Sequence, residues 1–163
     1  RASTALFGHL GLELDVSQLA PRERGELRVW IERYKALRGL LHGGVSWRLD
    51  CLDDGQHAHG VVSQDGEEAL YCISQLAMPR HAVPAPQPLA GLIAGQHYRL
   101  ELLELPEHPE RRMKQLPAWV QSQLSGEPVV ASGEMLMRAG LALPVLDPEQ
   151  AILIHLTAAH DVD

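Results

Sequence analysis

Helical periodicity in this chain is concentrated in one place. Pro21 stands where a first helical residue would, and Leu27, Trp30, Ile31, Tyr34, Leu37 and Leu41 then recur at three- and four-residue steps, which lays them along one stripe of an α-helix. Glu23 and Glu26 lie in its early turns, while Arg33, Lys35 and Arg38 favour its carboxyl end, as the helix dipole prefers. Gly43-Gly44 supplies a stop that glycine takes without strain. The pattern predicts an amphipathic helix over Pro21 to Leu41, ending near His42.

After Gly44 no second long helical period appears. Short alternating runs separated by turn clusters follow instead: "VSWRLD" at Val45 to Asp50, "HAHGVVSQ" at His57 to Gln64, "EALYCISQLA" at Glu68 to Ala77, "HYRLELLEL" at His97 to Leu105, "EMLMRAG" at Glu134 to Gly140 and "AILIHL" at Ala151 to Leu156. Asp65-Gly66 signals a tight turn between two of them. Strands at this spacing without intervening helices imply an antiparallel sandwich or barrel. Two stretches break the rhythm. Pro79 to Pro88 carries four prolines and reads as an extended surface connection. Pro106 to Pro128 is too long for a hairpin loop, and Pro117 before "AWVQSQL" predicts a short helix inside it.

Ahead of the long helix, Ala5 to Asp15 alternates imperfectly and ends "LELD", which predicts a buried strand whose glycines allow close backbone approach. A strand followed by a helix is half of a parallel βα unit, and such a half cannot bury its own apolar faces. The chain therefore divides near Gly44. Residues 1–43 read as the end of a larger domain whose other parts lie upstream, and residues 44–163 as an all-β domain.

Composition narrows the function classes. Of 163 residues, 45% are apolar and 21% charged, with a net charge of -7, so the chain can fold around a core but offers no broad basic surface for nucleic acid or anionic lipid. The densest basic cluster, Arg111-Arg112-Met113-Lys114, is short and follows Glu107 and Glu110. No run of apolar residues is long enough to span a bilayer as a helix. Cys51 and Cys72 are too few for a disulfide framework and lack zinc spacing, so both read as free thiols, which fits a cytoplasmic location.

Candidate chemistry is sparse. His57 and His59 share one face of a strand, a geometry that can ligate metal, but no third ligand stands nearby, so a structural role is the better reading. Asp50, Asp53 and Asp54 in "DCLDDG" resemble a calcium loop only loosely and read as a polar turn. The glycine-flanked nucleophile elbow is absent, Ser132-Gly133 reads as a turn, and "FGHLG" lacks a phosphate-binding fingerprint. Trp30 lies in the helix stripe and Trp47 alternates with Val45 and Leu49, so both read as core. Trp119 sits in the long loop, where it serves either as a sugar platform or, the better reading, as packing against a neighbouring domain.

The order of pieces resembles a known family. "RASTALFGHLGLELD", a helix containing "WIERYKALRGLLHGG", then "VSWRLD", "AHGVVSQDGEEALYCISQLA", "HYRLELLELPEHPERRMKQLPAW" and "LMRAGLALPVLDPEQAILIHL" are similar to the carboxyl-terminal part of family 36 glycoside hydrolases, which are chiefly α-galactosidases. The most specific pieces are "FGHLGLELD", the helix end "YK-x-x-R-x-x-LH-x-G" and "LPVLDPEQA-x-L-x-H". The resemblance implies a mainly β fold, with a carboxyl-terminal antiparallel β-sandwich preceded by the last strand (Leu6 to Leu14) and last helix (Pro21 to Leu41) of a truncated (β/α)8 barrel. A whole barrel needs roughly 250 residues, more than this chain holds.

The family's chemistry is retaining hydrolysis through two carboxylates about 5 Å apart. Both are aspartates at the ends of earlier barrel strands, and nothing here matches their motifs. Glu13, Asp15 and the later carboxylates accordingly inherit no catalytic role. No catalytic residue, metal ligand or cofactor is assigned, and substrate-binding residues stay unassigned. The implied partner is an upstream catalytic barrel of the same protein, acting on α-galactosides, with homo-oligomerisation left open. The alternative is a stand-alone β-sandwich that binds carbohydrate through Trp119 or serves as an interaction module.

Overall fold

The structure, a computed structural model, describes residues 2–11, 13, 15–105 and 116–160. Its centre is one antiparallel sheet of six strands: β1 (Val45–Leu49), β2 (Gln56–Val62), β3 (Glu68–Gln75), β4 (His97–Glu104), β5 (Val129–Ser132) and β6 (Gln150–Ala158), in the spatial order β1-β2-β3-β6-β4-β5. The last strand is thus inserted at the middle, between β3 and β4. Tyr71, Cys72 and Ile73 pair there with Ile154, Leu153 and Ile152, and all six are fully buried.

Because side chains alternate along a strand, each strand serves both faces. On one face Val61, Leu70, Cys72 and Leu153 pack under the long helix α2 (Pro21–Gly43), which contributes Leu37, Leu40 and Leu41. On the other face Tyr71, Ile73, Tyr98, Leu100, Ile152 and Ile154 form the larger core. Opposite them lie Leu89 to Leu92 just after the proline-rich connection, the segment around Leu141 to Leu146, and two short helices, α3 (Ala118–Ser125) and α4 (Gly133–Arg138). The antiparallel, mainly β class is the one the sequence implies. Among the described residues the layer facing the sheet on this side is built from loops and short helices rather than from more strands.

Several expectations hold closely. The long helix begins at Pro21 and runs two residues past Leu41. Pro117 opens α3, and Gly126 ends it with φ 80. Gly66, φ 74, makes the β2–β3 turn, where Asp65 accepts bonds from Ser63 Oγ (2.6 Å) and Glu67 N (3.0 Å).

Others are corrected. The strand expected from Ala5 to Asp15 is not found: residues 2–6 form a short helix, α1 (Ala2–Leu6), and Phe7 to Gly11 are irregular. Leu12 and Leu14, also part of that expectation, lie outside the described residues. A lone strand would leave its backbone unpaired, whereas one helical turn satisfies it and lets Leu6 bury completely against the α2 cluster. "EMLMRAG" is helical as well. Ser132 caps α4 by accepting from Met135 N (3.3 Å), Glu134 sits in the first turn, and Gly140 follows with φ 79. Those are start and stop signals that outweigh the short alternation. Strand β5 directly before it has no counterpart in the sequence reading.

Gly44 ends α2 for a different reason than expected. Its φ of -83 suits any residue, but a Cβ there would lie 2.6 Å from Val61 Cγ1, 2.6 Å from Val62 O and 2.8 Å from Leu40 O. The glycine lets the helix end press directly on β2. Trp47 is 39% exposed rather than core, because β1 is an edge strand. The basic cluster Arg111 to Lys114 and the first part of the long loop, residues 106–115, lie outside the described residues.

Tyr98 ties the larger core to its cover. Its buried hydroxyl donates to Gly66 O (2.7 Å) and accepts from Ile93 N (3.0 Å). Tyr98→Phe leaves both backbone groups unpaired, so urea denaturation should show a loss of about 1–3 kcal/mol. A loss below roughly 0.5 kcal/mol would mean the tie contributes nothing.

Candidate functional site

The residues singled out for chemistry do not converge. Asp15 caps a single 3-10 turn, accepting from Ser17 Oγ (2.6 Å) and Ser17 N (3.0 Å), and these bonds hold its carboxyl below the ordinary range. Asp53 ties two loops together. It accepts from Arg80 N (2.9 Å) and Gly55 N (2.8 Å), and those donors, the Arg80 amide first, lower its pKa. Asp54 pairs with the Arg80 guanidinium at 2.9 Å. The "DCLDDG" stretch is therefore a polar turn, as its composition suggests. Among the described residues no group of three or more His, Cys, Asp or Glu side chains is placed to hold a metal ion.

His57 and His59 do share a face of β2, with ring centroids 5.2 Å apart. His59 is contacted edge-on by Phe7 at 4.4 Å. Both thiols are free; Cys72 is buried and Cys51 partly so, and burial pushes the pKa of each upward. On the open part of the same sheet face, His155 reaches Glu68 Oε1 at 2.7 Å through Nε2 and Glu101 Oε2 at 3.6 Å through Nδ1. The sequence offered no signal for this trio, since its members come from three strands that only the sheet order brings together.

Trp119 is not exposed. It is 9% accessible, packs in the larger core of this same domain, and donates its indole N–H to Ala142 O at 2.7 Å. Its ring offers no exposed face for a sugar platform, and its packing is within this domain.

One surface remains unfinished, and it belongs to α2. Its last two turns are buried against the sheet, while Trp30 and Tyr34 are half-buried. Toward the amino end the same stripe loses its cover. Leu27 and Ile31 line an open groove with Val16 and Pro21, rimmed by Arg24, Arg28, Glu32 and Lys35. Arg33 holds the helix to the sheet where this bare section begins, bonding Glu104 at 2.9 Å and lying 5.1 Å over the Trp30 ring. Half of α2 is thus seated on the sheet, and the other half leaves Leu27 and Ile31 partly exposed on an open groove.

Residues 56–156 match the glycosyl hydrolase family 36 C-terminal domain. The chain belongs to that family. An α-galactosidase of Escherichia coli is 44% identical over 164 residues, covering 98% of this chain and 22% of that protein. α-Galactosidase AgaA of Geobacillus stearothermophilus is 28% identical over 145 residues, 88% of this chain and 16% of that one. Among solved structures, family 36 α-galactosidase AgaB of G. stearothermophilus superposes with a TM-score of 0.74 at 25% identity, over 97% of this chain and 19% of that one. The α-galactosidase of Lactobacillus brevis shares the fold with a TM-score of 0.75 at 24% identity, over 99% of this chain and 20% of that one. The chain thus spans about a fifth of the length of the relatives it matches.

The Asp53 geometry makes a pH prediction. A carboxyl whose pKa is lowered on folding stabilises its loops above the ordinary value of 3.8, and that contribution is lost as pH falls through the lowered value. Asp53 should titrate below 3.8 by NMR, and Asp53→Asn should raise amide exchange at Gly55 and Arg80. A midpoint at or above 3.8 would show that the two N–H bonds do not form in solution.

Proposed function

We propose that this chain is the carboxyl-terminal part of an α-galactosidase and that it serves the enzyme structurally, with the chemistry carried by an upstream catalytic barrel. On this reading residues 1–43 are the end of the barrel domain and residues 44–163 the C-terminal domain, with α2 as the joint between them. The observation that carries the proposal is the division of α2 into a seated half and a bare half. The seated half is buried by this chain's own sheet, and the bare half keeps Leu27 and Ile31 on an open groove. A chain spanning about a fifth of its α-galactosidase relatives is expected to have such an unfinished face.

The parent enzyme would remove terminal α-galactosyl residues by the retaining route through two carboxylates. These carboxylates support that division of labour, since Asp15, Asp53, Asp54, Glu68, Glu101 and Glu104 each hold a turn, an arginine or a histidine ring. The same reading places the protein in the cytoplasm, supported by two free thiols, one of them fully buried. The rival reading, carbohydrate binding through Trp119, loses its platform because that ring is in the core.

The test is direct. The isolated chain, shown by circular dichroism to be folded, should release no nitrophenol from nitrophenyl α-galactoside above the buffer blank. Turnover that follows the chain through successive purification steps would sink the proposal. In the intact enzyme Ile31→Asp should lower the thermal midpoint, because burying an unpaired carboxylate costs several kcal/mol. An unchanged midpoint would show that the bare half of α2 stays open to water.

A further inference from the structure

The amino-terminal segment is held to the domain through Leu6, Phe7 and His9. Leu6 is fully buried under α2, and Phe7 lies edge-on against His59 with centroids 4.4 Å apart. Two residues further on, His9 stacks on His42 at the end of α2 at 4.8 Å, and His42 Nε2 meets Tyr34 Oη at 2.9 Å. From this arrangement we infer that His59 and Phe7 form a pH-sensitive latch, which holds α1 and the following turn against the sheet when His59 is neutral and releases them when it takes up a proton.

The surroundings of the ring disfavour a proton on it. His59 Nδ1 is buried and has no hydrogen-bond partner among the described residues. Across the sheet its register neighbours are Arg48 on β1 and Cys72 on β3, and its own strand places His57 beside it at 5.2 Å. Beside the Phe7 contact, His9 of the amino-terminal segment and His42 and Tyr34 of α2 touch one another. Asp50, Asp53 and Asp54 line a surface hollow with Arg48 and His57, to which His59 does not contribute. Protonation in the closed arrangement therefore puts an N–H on the buried Nδ1 of a partly buried ring, beside another imidazole and with no acceptor bonded to it among the described residues. Swinging Phe7 away opens the ring to water, which can solvate that charge.

Burial, and secondarily the neighbouring His57, lowers the pKa of His59 from the usual 6.5, which agrees in direction. The sign follows: a histidine with a lowered pKa in the closed form stabilises that form fully above pH 6.5. The contribution is lost as pH falls through the lowered value. A single proton makes the opening equilibrium rise by at most about tenfold per pH unit over that window.

Hydrogen–deuterium exchange with mass spectrometry on the intact protein tests this, reading the amides of residues 3–8 after correction for the intrinsic pH dependence of exchange. Protection should be constant above about pH 7 and fall toward about pH 5, approaching tenfold per unit at the steepest point, while peptides from β3 and β6 keep theirs. His59→Gln should give a flat profile, and Phe7→Ala should leave the segment unprotected at every pH. If His59→Gln leaves the segment unprotected throughout, His59→Phe, which keeps an aromatic edge against Phe7, must supply the flat profile. A wild-type profile flat between about pH 7.5 and about pH 5 would overturn the latch. So would a fall that persists undiminished in the non-titrating variant, or full protection in Phe7→Ala.

Discussion

Everything in this domain depends on the pairing of β3 with β6. The two strands put Tyr71, Cys72 and Ile73 opposite Ile154, Leu153 and Ile152, and none of the six is exposed to solvent. A strand pair buried on both faces needs two covers. On one side α2 supplies a cover, and on the other the loops and short helices around Trp119, Leu136 and Leu146 do so. Since β6 comes from the end of the chain and β3 from its middle, the core closes only when the carboxyl-terminal strand inserts. Contacts so distant in sequence make a slowly assembled, cooperative unit rather than a string of local elements.

The two covers differ in kind. The loop side is complete, with Tyr71 donating to Ala90 O at 2.7 Å, Tyr98 bonded twice and the Trp119 indole satisfied by Ala142 O. The helix side is complete only over the second half of α2. The difference separates the part of the helix that this chain's own sheet buries from the part it leaves on an open groove. The sheet fixes the carboxyl end of the helix by burial, and Arg33 fixes its middle through Glu104. The remaining turns keep Leu27 and Ile31 partly exposed.

The legibility of these parts in the sequence follows from the range of the interactions that form them. The helix from Pro21, the strands at Val45, His57, Glu68, His97 and Ala151, and the short helix after Pro117 all carry local signals of period, cap or turn, and each is found close to its expected place. "EMLMRAG" failed because seven residues are too few for a period to decide between strand and helix, and the Ser132 cap was the better signal. The "FGHLG" strand failed because strand formation depends on a neighbour to pair with, which composition cannot reveal. The placement of Trp47 and Trp119 reversed expectation for a related reason. Burial is set by sheet order and by where a loop folds back, and an edge strand or a returning helix has no signature of its own. The histidine contacts and the His155 trio likewise join residues far apart in sequence.

The central claim is that the bare half of α2 is an interface completed by the remainder of an α-galactosidase. Thiol reactivity of Ile31→Cys, in a Cys51→Ser background, tests it most directly by comparing the isolated chain with the full-length enzyme under the same reagent. The account predicts rapid modification in the isolated chain and at least about tenfold slower modification in the enzyme, as for a side chain taken out of water. Equal rates in the two would contradict it and leave α2 as a helix whose outer face belongs to solvent.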